Sequence, residues 1–204
     1  MTARYYAALW AAGIALWLVL WVLVIPLPAW WPLIALTGWA TADAGSYVFH
    51  VILDHHISAA RSAMAKGFQE HHADSLRLVR EPLAEAIAPV IPLLLPVWLL
   101  AAAPAAVGWL PPGWALYLCV VALGVGFGQI THRWAHHPQP GPLVTALQRV
   151  GLVVSKRAHD AHHRPPHGTA YAIVSGWSNP LFDAGQLDVR LSALLARLGF
   201  PRVA

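Results

Sequence analysis

The stretch YYAALWAAGIALWLVLWVLV, residues 5–24, carries no charged side chain. At 1.5 Å per residue a helix of this length covers the roughly 30 Å hydrocarbon layer of a bilayer, where a backbone must satisfy its own hydrogen bonds. A secretory signal has a shorter apolar segment, roughly 7 to 15 residues, followed by a small-residue cleavage site. No clear site of that kind follows here, so the stretch reads as a membrane span. Composition agrees, at 58% hydrophobic and 11% charged residues in 204, against roughly 45–50% and about 25% in soluble domains.

Working outward, IPLPAWWP (25–32) supplies proline breaks and two tryptophans suited to a membrane interface. A second span is expected over about 31–50, and a polar segment from Asp54 to Glu85 follows it. A further hairpin pairs 88–109 with 114–131 across LPPG (110–113). The expected fold is an all-α integral membrane protein of one domain, residues 1–204. It has four transmembrane helices and a histidine-rich cap built from 51–87 and 132–204.

The charges give this plan a direction. All 13 Lys and Arg residues fall at Arg4, between spans two and three (Arg61, Lys66, Arg77, Arg80) or after span four, and none in either hairpin turn. An even number of spans puts these regions on one side, and the positive-inside rule makes that side cytoplasmic. The net charge of +4 is then a topology signal, and a nucleic-acid partner is not expected. Cys119 is the single cysteine, so neither an intrachain disulfide nor a thiolate cluster is available. Any metal must rest on imidazole and carboxylate.

All 12 histidines lie between His50 and His167, at the expected cytoplasmic ends of spans two and four or in the segments beyond. HVILD places His50 and Asp54 at i and i+4 on one helical face, with Asp43 on the same stripe. An aspartate at that depth is costly in lipid, so Asp43 is expected to face inward and support a ligand imidazole, or to be satisfied by hydroxyls. FQEHHAD contributes His71 and His72. THRWAHH gives His132 and His136 at i and i+4, a spacing that lets two side chains grip one ion. KRAHDAHHRPPH (156–167) offers His159, His162 and His163 on one face, with Asp160 expected in a supporting role. Pro165 and Pro166 then end any helix and leave His167 on a turn.

Eight or more imidazoles exceed the needs of one tetrahedral zinc, and imidazole with carboxylate suits iron. Two metals sharing the set is the economical reading. A non-haem di-iron centre activates O2 strongly enough to take hydrogen from an unactivated CH2. The chain holds no Gly-rich nucleotide fingerprint and no cysteine cluster, so electrons must come from an external donor, either a ferredoxin or a cytochrome b5-like protein.

In their order, HVILD, FQEHHAD, QITHRWAH, HDAHHRPPHGTAY and GWSNPL resemble the Kua/CarF lipid desaturase family, over about Asp43 to Phe182. The resemblance implies a four-helix membrane enzyme with di-iron bound by histidines. Its implied reaction is formation of the vinyl ether double bond of plasmalogens from an alkyl ether phospholipid, with O2 as co-substrate. It carries the ligand roles to His50, His71, His72, His132, His136, His159, His162 and His163, with Asp54 and His167 as further members. Ala158 stands where the family usually has another His, EPLAEAIAP (81–89) replaces an Asn-rich stretch, His55 and His56 replace Thr-Trp, and GWSNPL is one residue shorter. These departures lie in segments able to shape the lipid pocket.

Two other readings stay open. A histidine-box desaturase or hydroxylase of fatty acyl, sterol or carotenoid chains would share the metal site. A membrane metal transporter or metal-binding protein would instead place ligands near the bilayer midplane. Beyond Phe182, Leu191, Leu194, Leu195 and Leu198 form a stripe at helical spacing, which predicts an amphipathic helix lying at the membrane interface or packed on the core.

Overall fold

The computed structural model describes residues 3–203, with side chains for all of these but Leu93, Val97 and Ala101. Among the described residues every regular element is helical. They are α1 (Ala3–Val19, running on as a π turn, Leu20–Val24), α2 (Trp31–His55), α3 (Ala63–Ala73), α4 (Arg77–Arg80), α5 (Leu83–Ile87, followed by a 3-10 turn, Ala88–Val90), α6 (Ile91–Ala106), α7 (Pro112–His136), α8 (Pro142–Arg149), α9 (Lys156–His162), α10 (Asn179–Ala184) and α11 (Leu187–Arg197).

Among the described residues two helices are long and apolar enough to cross a membrane, Ala3–Val24 and Pro112–His136. The span expected over 88–109 is broken: Leu83–Val90 and Leu94–Ala106 meet at 66° and count as a third only if the bent pair is one span. Prolines explain the break, because Pro89 and Pro92 remove amide donors and their rings crowd the preceding turn. The span expected over 31–50 lies within α2, where Thr37, Thr41, Asp43, Ser46 and His50 dilute the apolar run.

The chain divides into two compact units, residues 1–42 with 82–129 and residues 43–81 with 130–204. The first is an apolar helical packing around Trp17, Trp98 and Leu116. Trp98 lies between Gly13 and Gly126, where a Cβ on either residue would overlap the indole. Two indole N–H groups close the packing: Trp98 Nε1 donates to the Ala122 carbonyl at 3.0 Å and Trp10 Nε1 to that of Gly126 at 2.8 Å.

The second unit holds all 12 histidines. Its core is two small apolar clusters, Tyr47 with Val51, Tyr171 and Ala172, and Leu53 with Ala65, Phe68 and Ile173. Serine caps start two of its histidine-bearing helices: Ser62 accepts from the Ala65 amide and Ser155 from the Ala158 amide, each at 3.2 Å. Arg133 ties the α4 region down by donating to the carbonyls of Leu78, Val79 and Glu81. The predicted C-terminal helix is α11. It packs through Leu187 and Leu191 against the Tyr47 cluster and leaves Leu194 and Leu198 exposed.

Candidate metal centre

Helix periodicity makes the first contribution to the site. His132 and His136 are one turn apart on α7, and His50 and Asp54 one turn apart on α2, so each pair projects from one face. His71 and His72 are adjacent on α3 and diverge by about 100°, which sends their rings to different places. On α9 and its cap, His159, His162 and His163 stand at i, i+3 and i+4, with His162 and His163 about 100° apart around the helix axis.

Packed together, these side chains form two groups able to hold a metal ion: His71, His132, His136, His159 and His163, and His50, Asp54, His72 and His162. Within each group the ligand atoms lie within 4.8 Å of one another. Nε2 of His132 is 2.9 Å from that of His159 and 3.2 Å from that of His136, and the last two are 3.0 Å apart. His163 Nε2 lies 3.2 Å from that of His159. In the second group Asp54 Oδ2 is 3.3–3.4 Å from Nε2 of His50, His72 and His162.

The spacing suits a cation. Each Nε2 carries one proton or one lone pair, so the triangle of His132, His136 and His159 cannot be three hydrogen bonds. Ligands about 2.1 Å from one ion stand about 3.0–3.4 Å apart at octahedral or tetrahedral angles. Nε2 of His50 and of His71 and both carboxylate oxygens of Asp54 are buried without a hydrogen-bond partner, an arrangement that is costly unless something else satisfies them.

The far side of several rings is fixed by backbone. Nδ1–H of His50 donates to the Tyr171 carbonyl at 2.8 Å, that of His162 to Thr169 at 2.9 Å, and that of His71 to Phe68. A donating Nδ1 leaves the Nε2 lone pair pointing into the group. Burial, with neighbouring imidazoles opposing protonation, holds His71 and His159 well below the usual imidazole range, His72 at about 2 and His163 at about 3. Burial lowers His162 to about 4, with its bond to Thr169 working partly against the shift. All five are therefore neutral at pH 7.

Three expected residues stand elsewhere. Asp43 does not hydrogen-bond an imidazole: Oδ1 accepts from the amides of Ser175 (2.7 Å) and Gly176 (2.8 Å), and Oδ2 from the amide and hydroxyl of Ser178 (2.9 and 2.7 Å). The turn at 175–178 presents four converging donors, and they take the buried carboxylate. Asp160 is at the surface, paired with Lys156 at 2.7 Å one turn earlier. His167 belongs to neither group: its Nδ1 bonds the His162 carbonyl at 3.1 Å and its ring stacks on His72.

Other contributors carried no motif. Tyr171 offers its carbonyl to His50 and its hydroxyl to His55 Nε2 at 2.9 Å. His56 is held by the Phe200 carbonyl and the Ser192 hydroxyl. A carbonyl acceptor has no residue signature, so Phe68, Thr169 and Tyr171 were not readable as ring supports.

A sequence model of the lipid desaturase domain matches residues 39–198. Among curated proteins, the chain is 35% identical over 171 residues to fatty acid desaturase 4, chloroplastic, of Arabidopsis thaliana, covering 79% of this chain and 51% of that protein. It is 31% identical over 151 residues to plasmanylethanolamine desaturase of Myxococcus xanthus, covering 71% and 53%. Plasmanylethanolamine desaturase 1 of Mus musculus is 29% identical over 124 residues, covering 57% and 45%. The chain spans about half the length of the curated relatives it matches. No solved structure matches it.

Proposed function

The chain belongs to the lipid desaturase family, and from that premise we propose that it is a membrane-bound, O2-dependent lipid desaturase in which the two groups hold a pair of iron ions. The observation that carries this reading is the convergence of eight imidazoles and one carboxylate into two adjacent ligand sets with orphaned lone pairs. Iron bound there supplies the activation of O2 needed to oxidise an unactivated CH2. Overall, two hydrogens leave adjacent carbons, a C=C bond forms, and O2 with two external electrons and two protons becomes two waters.

The protein's own residues hold and exclude. His71, His72, His159, His162 and His163 stay neutral, and carbonyls of Phe68, Thr169 and Tyr171 fix the tautomers of His71, His162 and His50. Phe68 lies edge-on to His50 at 4.9 Å and near His132, keeping water from that side of the rings. The distribution of Lys and Arg supports four spans with both termini and the metal groups on the cytoplasmic side. A ferredoxin or cytochrome b5-like protein would supply the electrons.

For the substrate, the motif pattern and the plasmanylethanolamine desaturase relatives support an alkyl ether phospholipid converted to its vinyl ether. A second reading, desaturation of a fatty acyl chain, is supported by the 35% identity with fatty acid desaturase 4. Lipid extracts of a strain with and without the gene separate them. Loss of acid-labile vinyl ethers on deletion supports the first and loss of an acyl double bond the second; unchanged double bonds in both pools would refute desaturation.

A further inference from the structure

Helix α8 leaves much of its apolar stripe bare. Leu143, Ala146 and Val150 line one side and are exposed, Leu143 at 71% and Val150 at 68%. The half-buried side carries Val144, Thr145, Leu147 and Gln148, held by two short-range bonds: Gln148 Nε2 donates to the Val154 carbonyl and the Thr145 hydroxyl to that of Pro140, each at 3.2 Å. The apolar surface continues past the helix. Leu152 is exposed, and Trp177 bonds the Gly151 carbonyl through Nε1 at 2.7 Å while leaving part of its ring bare.

Soluble helices bury the apolar stripe and expose the polar one. A helix that leaves such a stripe uncovered suits an apolar environment outside the chain, and the position of α8 says which. Only residues 137–141 separate it from α7, a helix long and apolar enough to cross a membrane. Six backbone steps reach at most about 20 Å, so α8 begins near the membrane boundary at that end of α7. Its apolar stripe, the exposed Arg149 that can reach headgroups, and a tryptophan with its N–H already bonded are the parts of an in-plane interfacial helix.

We infer that α8, with Val150, Leu152 and Trp177, is an in-plane membrane anchor that rests on the bilayer surface on the metal-bearing side. Its occupant is the headgroup–acyl boundary. The depth of α8 does not depend on which lipid is oxidised.

The test uses the full chain in vesicles of phosphatidylethanolamine and phosphatidylglycerol. Leu143→Cys, Val150→Cys and, as reference, the exposed Ser75→Cys are labelled with a nitrobenzoxadiazole fluorophore. Cys119 is buried, so wild type is the unlabelled blank. The expected result is that shallow doxyl lipids quench the labels at 143 and 150 about threefold more than the label at 75, and that iodide quenches them about threefold less. Iodide quenching equal to that at 75 would overturn the proposal, and so would shielding of both labels from both quenchers, which would mean that protein covers α8.

Discussion

The Nε2 atoms of His132 and His159 lie 2.9 Å apart although the residues are separated by 27 positions and sit on different helices. Neither ring has room for a water between them, and His136 Nε2 stands within 3.2 Å of both. Three lone-pair donors at this spacing define the five-imidazole group, and its disruption is the most direct probe of the proposed function.

His132→Ala and His163→Ala each remove one of five ligands from that group. Activity is expected to fall at least about a hundredfold, and iron from near two per chain toward one. Full iron content with retained turnover would reject the ligand assignment. Metal analysis of purified protein gives the count.

Asp54 is the single carboxylate in either group. Asp54→Asn preserves shape and removes the negative charge, so the second group should lose affinity about ten- to a hundredfold while the five-imidazole group keeps its ion. Cobalt titration, followed by its visible absorption, should show one tight phase in place of two. Two unchanged phases would sink the idea.

Stability should depend on pH in a direction set by the buried imidazoles. His71, His72, His159, His162 and His163 are depressed in the fold, His72, His163 and His162 to about 2, 3 and 4, against about 6.5 unfolded. Below that value the unfolded chain binds more protons, so the stability present above about pH 6.5 is lost progressively toward pH 4. The metal-free protein in detergent should melt at least about 5 °C lower at pH 5 than at pH 7.5. A flat profile would contradict the burial of these rings.

Arg133 donates to three carbonyls around α4. Arg133→Lys cannot reproduce a planar fork and should cost about 3 kcal/mol, or about 10 °C in melting temperature. Iron content should fall with it, because α4 follows directly on the helix carrying His71 and His72.

Asp43→Ala would orphan the amides of Ser175, Gly176 and Ser178 together. The expected loss is at least about 3 kcal/mol, with Asp43→Asn milder because one oxygen still serves Ser175 and Gly176. Equal melting of both variants with wild type would show that the turn holds without the carboxylate.

Much of this site could be read from spacing. The pairs His132 with His136 and His50 with Asp54 follow from helical periodicity, and the concentration of imidazoles at and beyond the ends of α2 and α7 follows from the order of residues. The assignment of rings to groups did not. His71 and His72 are neighbours in sequence yet serve different groups, and His162 joins α2 while His159 and His163 join α7. Asp43 was legible as a buried acid, but its partner is a backbone turn 132 to 135 residues away.

Sequence alone determined that the chain is helical and apolar, that any metal must be held by imidazole and carboxylate, and which ligand pairs share a helical face, because these depend on composition and period. Tertiary packing decided the division of ligands into two sets, the carbonyls that fix the imidazole tautomers, the capture of Asp43 by the 175–178 turn and the outward apolar side of α8. Each of these depends on backbone groups or on faces brought together from distant segments, and a residue order holds no record of which carbonyl a folded ring will meet.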